Sequence, residues 1–284
     1  MRFIRFEDAH GAGLAVEANG VAHGLPERDG GFPGTLATLV AKGQKALRQA
    51  GEALAAGPAV DLSKAKFLPP FPAPPKIICV GLNYRDHSAE SGFKQPDYPT
   101  LFARFATSLV GHGAPVVRPK VSDKFDYEGE LVAVVGAGGR HISHARALDH
   151  VAGYSIFNDV SVRDYQFKSP QWTVGKNFDG TGPFGPVFVT ADELPAGAKG
   201  LRLQTRLNGE IMQDANTDDM VFDIATLIAI ISEAITLESG DVIVAGTPSG
   251  VGQSRKPPVF MKAGDRIEVE IEKIGVLSNP VVDE

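Results

Sequence analysis

Two glutamates separated by one residue, Glu128 and Glu130, stand at the start of the apolar run in FDYEGELVAVV, residues 125–135. The segment 131–135 is short, rich in β-branched residues and closed by Gly136, which predicts a buried strand. Positions i and i+2 of a strand share a face, so both carboxylates aim at one spot beside the core. Like charges there repel and lose hydration unless a cation sits between them, and a hard divalent ion meets that need with oxygen ligands. The competing reading is a solvated strand end carrying two ordinary glutamates, and this stretch taken alone favours it. A third carboxylate, Asp159, closes the strand-like run GYSIFND. Three oxygen ligands with open positions suit Mg²⁺ or Mn²⁺, and no Cys/His spacing suggests zinc.

Other residues could serve chemistry near such a centre. His87 and Glu90 lie three apart in RDHSAESG, so a short helix there places them on one face. A carboxylate beside an imidazole raises its basicity and fixes its tautomer, but an exposed helix with an incidental ion pair is the blander reading. Arg163 and Gln166 follow Asp159 by four and seven residues, and a helical turn there puts all three on one face. Arg163 then neutralises a carboxylate or binds a substrate carboxylate; a surface ion pair with Asp159 or Asp164 is the alternative. Lys176 sits in the glycine-rich WTVGKNFDG, where a lone lysine is usually solvated. The loop GTPSG around Thr247 offers amides and a hydroxyl to an anion but lacks the lysine of a P-loop. The run VVGAGGR resembles a dinucleotide fingerprint, but its third glycine position is occupied by His141.

The elements that must position these groups are mostly strands. Asn19-Gly20 and Asn208-Gly209 predict type I′ hairpins, and RIEVEIEK alternates as a half-exposed strand. A helix is expected over 35–56, capped by Thr35 and weakened by Gly43 and Gly51, and a strongly apolar one over 222–237. The apolar run 77–80 predicts another buried strand holding Cys79, a buried small hydrophobe. Five prolines in LPPFPAPP, residues 68–75, forbid helix or central strand and mark a stiff connector. That places a small N-terminal α+β domain at 1–67 and a larger domain at 76–284. The fold class is α+β and β-rich. The chain has 284 residues, 43% hydrophobic and 22% charged, with net charge −6 and no basic run, which argues against a nucleic-acid partner. No segment reaches membrane-spanning length, the N-terminus lacks a signal-peptide pattern, and a single cysteine fits a reducing compartment, so a cytoplasmic protein is expected.

Five runs appear in a specific order: VGLNYRDHSAE, DYEGELVAVVG, GYSIFNDVSVRDYQ, WTVGKNFDG and DVIVAGTPSGVG. In wording and order they resemble the fumarylacetoacetate hydrolase superfamily, over most of residues 76–284. The resemblance implies a mixed β-sandwich or β-roll catalytic domain, usually a homodimer. It implies Glu128, Glu130 and Asp159 as ligands of Mg²⁺ or Mn²⁺, and His87 and Glu90 as the dyad that activates water in acylpyruvase members. Lys176 takes the place of the active-site lysine, and Arg163, Gln166 and Thr247 those of substrate contacts. Two features depart from the pattern: Asn177 stands where many members carry serine, and ICVGLNY lacks the further carboxylate of fumarylacetoacetase, as in smaller bacterial-type members.

The implied activity is metal-dependent hydrolysis of a carbon–carbon bond in a 2,4-dioxo acid, giving pyruvate and a carboxylic acid. Oxaloacetate decarboxylation and hydroxymuconate-type isomerisation use the same enolate chemistry and are the alternatives. A nicotinamide-dependent oxidoreductase and a non-catalytic acid-binding module are the readings from other classes. The first is opposed by the missing third glycine.

Overall fold

The strand Gly129–Val135 is buried at every position, as is its antiparallel neighbour Val151–Asn158. Both faces are covered, which is why these runs are continuously apolar instead of alternating. Their side chains still divide by parity. Leu131, Ala133, Val135, Tyr154 and Ile156 enter one apolar cluster with Ile224, Leu227, Ile228 and Ile231 of the helix Ile224–Ala234. Val132, Val134 and Phe157 enter another with Leu36, Leu39, Leu47 and Leu54 of two N-terminal helices. The central strands are therefore a middle layer, covered on one face by that helix together with Leu203, Val269, Ile271 and Leu277 of a second sheet, and on the other by the two N-terminal helices.

The chain is described by a computed structural model over residues 1–90 and 97–284, with the side chains of His87, Ser88 and Ala89 also outside the description. Among the described residues, the main sheet has eleven strands. Its path runs Val21–Pro26, Gly11–Ala18, Arg2–Asp8, Gly182–Thr190, Val151–Asn158, Gly129–Val135, Val242–Val244, Ile77–Gly81 and Thr100–Arg104. Pairing is antiparallel except between Val242–Val244 and Ile77–Gly81 and at the short strand Leu109–Val110. A second sheet of five strands orders Glu210–Asn216, Arg202–Leu207, Arg266–Ile271, Gly275–Asp283 and Val116–Arg118. This is the mixed, strand-rich α+β architecture expected. Among the described residues, no helix is long and apolar enough to cross a membrane.

Both Asn-Gly hairpins form, with positive φ at Asn19, Gly20, Asn208 and Gly209 as a type I′ turn demands. The helix expected over 35–56 is two helices, Leu36–Ala41 and Gln44–Ala55. Gly43 at φ 88° breaks the helical path between them. Thr35 caps the first as expected, its hydroxyl accepting from Thr38 N. The second expected helix is shorter than its apolar run, Ile224–Ala234, because Ile235 is already extended. The N-terminal strand Arg2–Asp8 pairs with Gly182–Thr190, and Phe3 and Leu14 share an apolar cluster with Val132. Residues on either side of the proline-rich segment thus meet in one sheet and one core.

Candidate active site

Antiparallel pairing builds the acidic centre. Gly129 lies opposite Asn158, so Glu128 just before one strand meets Asp159 just after the other. Asp159 N donates to Glu128 O at 2.8 Å, and Glu128 N donates to Asn158 Oδ1 at 2.9 Å. Glu130, two residues along, points to the same side. One carboxylate oxygen from each of Glu128, Glu130 and Asp159 lies within 4.8 Å of the other two. Glu128 is 5% exposed, Glu130 2% and Asp159 0%, which excludes the solvated strand end.

Neutralisation is partial. Lys176, 1% exposed, donates from Nζ to Glu128 Oε2 and Asp159 Oδ2, both at 2.7 Å. Burial pulls its pKa down, but the carboxylates of Asp159 and Glu128 outweigh that and hold it above the ordinary lysine value. Arg163 Nη1 lies 2.6 Å from Glu128 Oε1 and donates to Gln166 Oε1 at 2.9 Å. Its Nε donates to Asp126 Oδ2 at 2.8 Å. Arg104 Nη1 donates to Asp159 Oδ1. Glu130 meets no cation directly among the described residues; its Oε2 accepts Gly246 N at 2.5 Å. Burial first, then the charges of Asp159 and Glu128, push its pKa well above the usual carboxylate range.

The donor set fits a divalent ion. Asp126, Glu128, Glu130 and Asp159 are four buried carboxylates set against three buried cations, Arg104, Arg163 and Lys176. Two like charges within 4.8 Å repel by at least about 3 kcal/mol at an effective dielectric of 20. A divalent ion would be held by Glu128, Glu130 and Asp159, all hard oxygen donors. It would also turn the local balance from one excess negative charge to one positive, which suits an anionic substrate.

Glu128 and Glu130 of this centre open onto a cavity of about 260 Å³, with Asp159 behind them. Glu128, Glu130, Arg163, Gln166, Lys176 and Thr247 line its polar side. Val80, Leu82, Phe102, Phe167, Trp172 and Val251 line its apolar side. The GTPSG loop reaches it because Val242–Val244 pairs with Gly129–Val135. Gly246, at φ 101°, needs to be glycine, since a Cβ there would lie 2.6 Å from Asn83 Cβ. Thr247 Oγ1 donates to Gly129 O at 3.1 Å and accepts Gln213 Nε2 at 2.8 Å. Glu90, at the end of the short helix Arg85–Glu90, lines the cavity, and its carboxylate accepts Gly250 N at 2.9 Å. The side chain of its expected partner His87 lies outside the described residues.

Three details differ from the sequence reading. Arg163 does not share a helical face with Asp159, because 161–162 is extended and the helix Arg163–Gln166 begins only afterwards. Arg163 therefore meets Asp126 and Glu128, while Asp159 is met by Lys176 and Arg104. Lys176 is buried because Gly175 packs 2.3 Å, measured from a notional Cβ, from Gln166 N, a contact only glycine allows. Sequence reasoning also missed Asp126 and Arg104. Asp126 had a signal in its i−2 spacing from Glu128, which continues the alternation of Glu128 and Glu130; Arg104 stands alone among apolar neighbours in LFARF.

Fold and site together define a class of enzyme. The chain belongs to the fumarylacetoacetate hydrolase family: residues 76–282 match the family described as fumarylacetoacetate (FAA) hydrolase, C-terminal. In particular, it is 41% identical over 288 residues to a mitochondrial oxaloacetate tautomerase of Rattus norvegicus, covering 99% of this chain and 92% of the relative. The human mitochondrial counterpart is 42% identical over 289 residues at the same coverage. Among solved structures, the fumarylacetoacetate hydrolase of Exiguobacterium antarcticum superposes with a TM-score of 0.86 at 37% identity over 100% of both chains. The maleylpyruvate hydrolase of Sphingobium sp. SYK-6, solved with manganese(II) and pyruvate, superposes with a TM-score of 0.81 at 30% identity, covering 100% of this chain and 99% of that one.

Proposed function

We propose that this protein is a divalent-metal-dependent enzyme acting on a small 2-oxo acid, with keto–enol tautomerisation of oxaloacetate as its reaction. The observation that carries the proposal is the buried triad of Glu128, Glu130 and Asp159, two of whose carboxylates, Glu128 and Glu130, line a cavity sized for a small acid. Full-length similarity to oxaloacetate tautomerases supports the choice of reaction. A divalent ion bound there supplies Lewis-acid polarisation of the 2-oxo group, which acidifies the adjacent C3 protons.

The chain's own groups do the rest. Arg163 holds Gln166 by its carbonyl oxygen, which leaves the amide –NH₂ as a donor to a substrate carboxylate. Lys176, kept protonated by its carboxylate neighbours, acts as a fixed positive charge for the negative charge that develops on O2 and is not the base. Glu90, with His87 one helical turn before it, lines the cavity and would move the C3 proton. Phe102 and Trp172, in edge contact, supply apolar lining next to the lysine, whose Nζ lies 5.2 Å from the Phe102 ring centroid.

Hydrolysis of an acylpyruvate is the second reading. It is favoured by Glu90, whose carboxylate is held by Gly250 N beside the cavity, and by the water-activating role that the family resemblance implies for the His87–Glu90 pair. Both readings include the homodimer implied by the family resemblance. Oxaloacetate and an acylpyruvate assayed with Mg²⁺, Mn²⁺ or EDTA, following enol absorbance, pyruvate and CO₂ separately, decide between them. Activity on neither acid, or activity indifferent to EDTA, would sink the proposal.

A further inference from the structure

Arg104 takes no part in the chemistry above, yet it is 3% exposed and uses all of its nitrogens. Nη1 donates to Asp159 Oδ1 and, at 3.2 Å, to Val160 O. Nη2 donates to Thr181 Oγ1 at 2.8 Å, and Nε to Ser108 Oγ at 3.3 Å. Its guanidinium also lies over the Phe157 ring, 5.4 Å from the centroid. Neither Arg104 nor Asp159 lines the cavity, and Arg104 meets the acidic cluster from behind, at Asp159.

The backbone that carries Arg104 is itself held in place. Asn177 Oδ1 accepts Phe105 N at 2.7 Å, and its Nδ2 donates to Ala103 O at 3.0 Å. The one side chain thus bonds the peptide groups on both sides of Arg104. Asn177 directly follows Lys176, so the segment that delivers the lysine to Asp159 Oδ2 also fixes the strand end that delivers the arginine to Asp159 Oδ1. A carboxylate gripped on each oxygen by a separate fixed cation cannot rotate about χ2. A planar guanidinium anchored at three further acceptors holds that orientation better than a point charge.

We propose that Arg104, bracketed by Asn177, is the positioning residue that presents the Asp159 carboxylate to the divalent ion and so sets the affinity of the site. The proposal rests on the metal reading of the preceding subsection. Partners that orient a metal-binding carboxylate in this way shape affinity without touching the ion.

The test measures Mn²⁺ affinity of chelator-stripped protein, from the free-ion paramagnetic resonance signal, alongside thermal melting and circular dichroism. R104Q keeps a polar planar side chain but loses the charge and most donors, and should bind Mn²⁺ about 10–100-fold more weakly than wild type while folded. R104K can still bond Asp159, and should recover to within about threefold of wild type. A purely structural role would lower the melting temperature of both variants and leave the affinity of the folded protein unchanged. Should R104Q fail to fold, T181V removes one anchor of the guanidinium and should weaken Mn²⁺ binding about threefold or more. Folded R104Q, or in its place T181V, binding Mn²⁺ within about twofold of wild type would overturn the role of Arg104 and leave the metal site standing. Wild-type protein that binds no Mn²⁺ would overturn both.

Discussion

Asp126 and Arg163 form a buried clamp: Nε and Nη2 of the arginine both lie 2.8 Å from Asp126 Oδ2. The same carboxylate accepts Gly252 N at 2.7 Å and Gln253 N at 2.9 Å, tying the arginine to the loop that closes one side of the cavity. Asp126→Asn removes the charge but keeps an acceptor. It should raise KM for the 2-oxo acid by about tenfold, as Arg163 loses its fixed orientation, and lower stability by about 3 kcal/mol. Steady-state kinetics and denaturant unfolding check the pair of effects; an unchanged KM would show that the clamp does not orient the substrate site.

Of the three proposed ligands, Glu130 alone meets no cation directly among the described residues, so it separates metal binding from folding. Glu130→Gln keeps an oxygen for Gly246 N and removes one buried negative charge. The metal-free variant should be more stable than metal-free wild type by about 1 kcal/mol or more, since a repulsion is relieved. It should also lose Mg²⁺ protection against thermal unfolding. Melting curves with and without Mg²⁺ read both effects; equal Mg²⁺ stabilisation of variant and wild type would remove Glu130 from the ligand set.

Gly81 is a steric requirement of the apolar wall. A Cβ there would lie 2.3 Å from Trp172 Cζ3. Gly81→Ala should therefore displace the indole, at a stability cost of about 1–3 kcal/mol. Trp172 is the only tryptophan in the chain, so its fluorescence reports the shift directly. A red-shifted emission with raised KM is expected, and an unchanged spectrum would show that the wall yields elsewhere.

The acidic cluster was legible in the sequence because strand periodicity is strict: alternate positions at a strand start share a face, and a third carboxylate, Asp159, closes another strand-like run. The hairpins were legible for the same reason, since Asn-Gly prescribes positive φ. What could not be read was pairing across long separations. Arg104 reaches Asp159 only because the sheet edge and the 172–177 segment are packed together, and LFARF carries no local sign of that. The shared helical face of Arg163 and Asp159 fails because two extended residues intervene before the helix, so the carboxylates that Arg163 meets, Asp126 and Glu128, were not named as its partners. Lys176 was picked out only by the motif resemblance, since its burial depends on the close approach of Gly175 to Gln166, which its local sequence does not announce.

Asp223 gives a prediction independent of the active site. Its Oδ1 caps the helix Ile224–Ala234 by accepting Thr226 N at 2.9 Å, and its Oδ2 lies 2.8 Å from Lys199 Nζ. Partial burial pushes its pKa up, but Lys199 and Thr226 outweigh that and lower it to about 2. The folded value lies below the unfolded one, so the stabilisation is present above pH 4 or so and is lost as pH falls towards about 2. Asp223→Ala should cost about 1 kcal/mol at neutral pH. The difference from wild type should narrow as unfolding is followed from pH 5 to pH 2; a constant difference across that range would assign the effect to something other than the carboxylate.

The central claim is that Glu128, Glu130 and Asp159 hold one divalent ion. Anomalous diffraction at the manganese edge, from crystals grown with Mn²⁺ and pyruvate, tests it most directly. The account predicts a single strong peak within coordination distance of one oxygen from each carboxylate, with pyruvate oxygens completing the shell. A saturated crystal with no peak there, or with Lys176 still bridging Glu128 and Asp159 and manganese bound elsewhere, would contradict it.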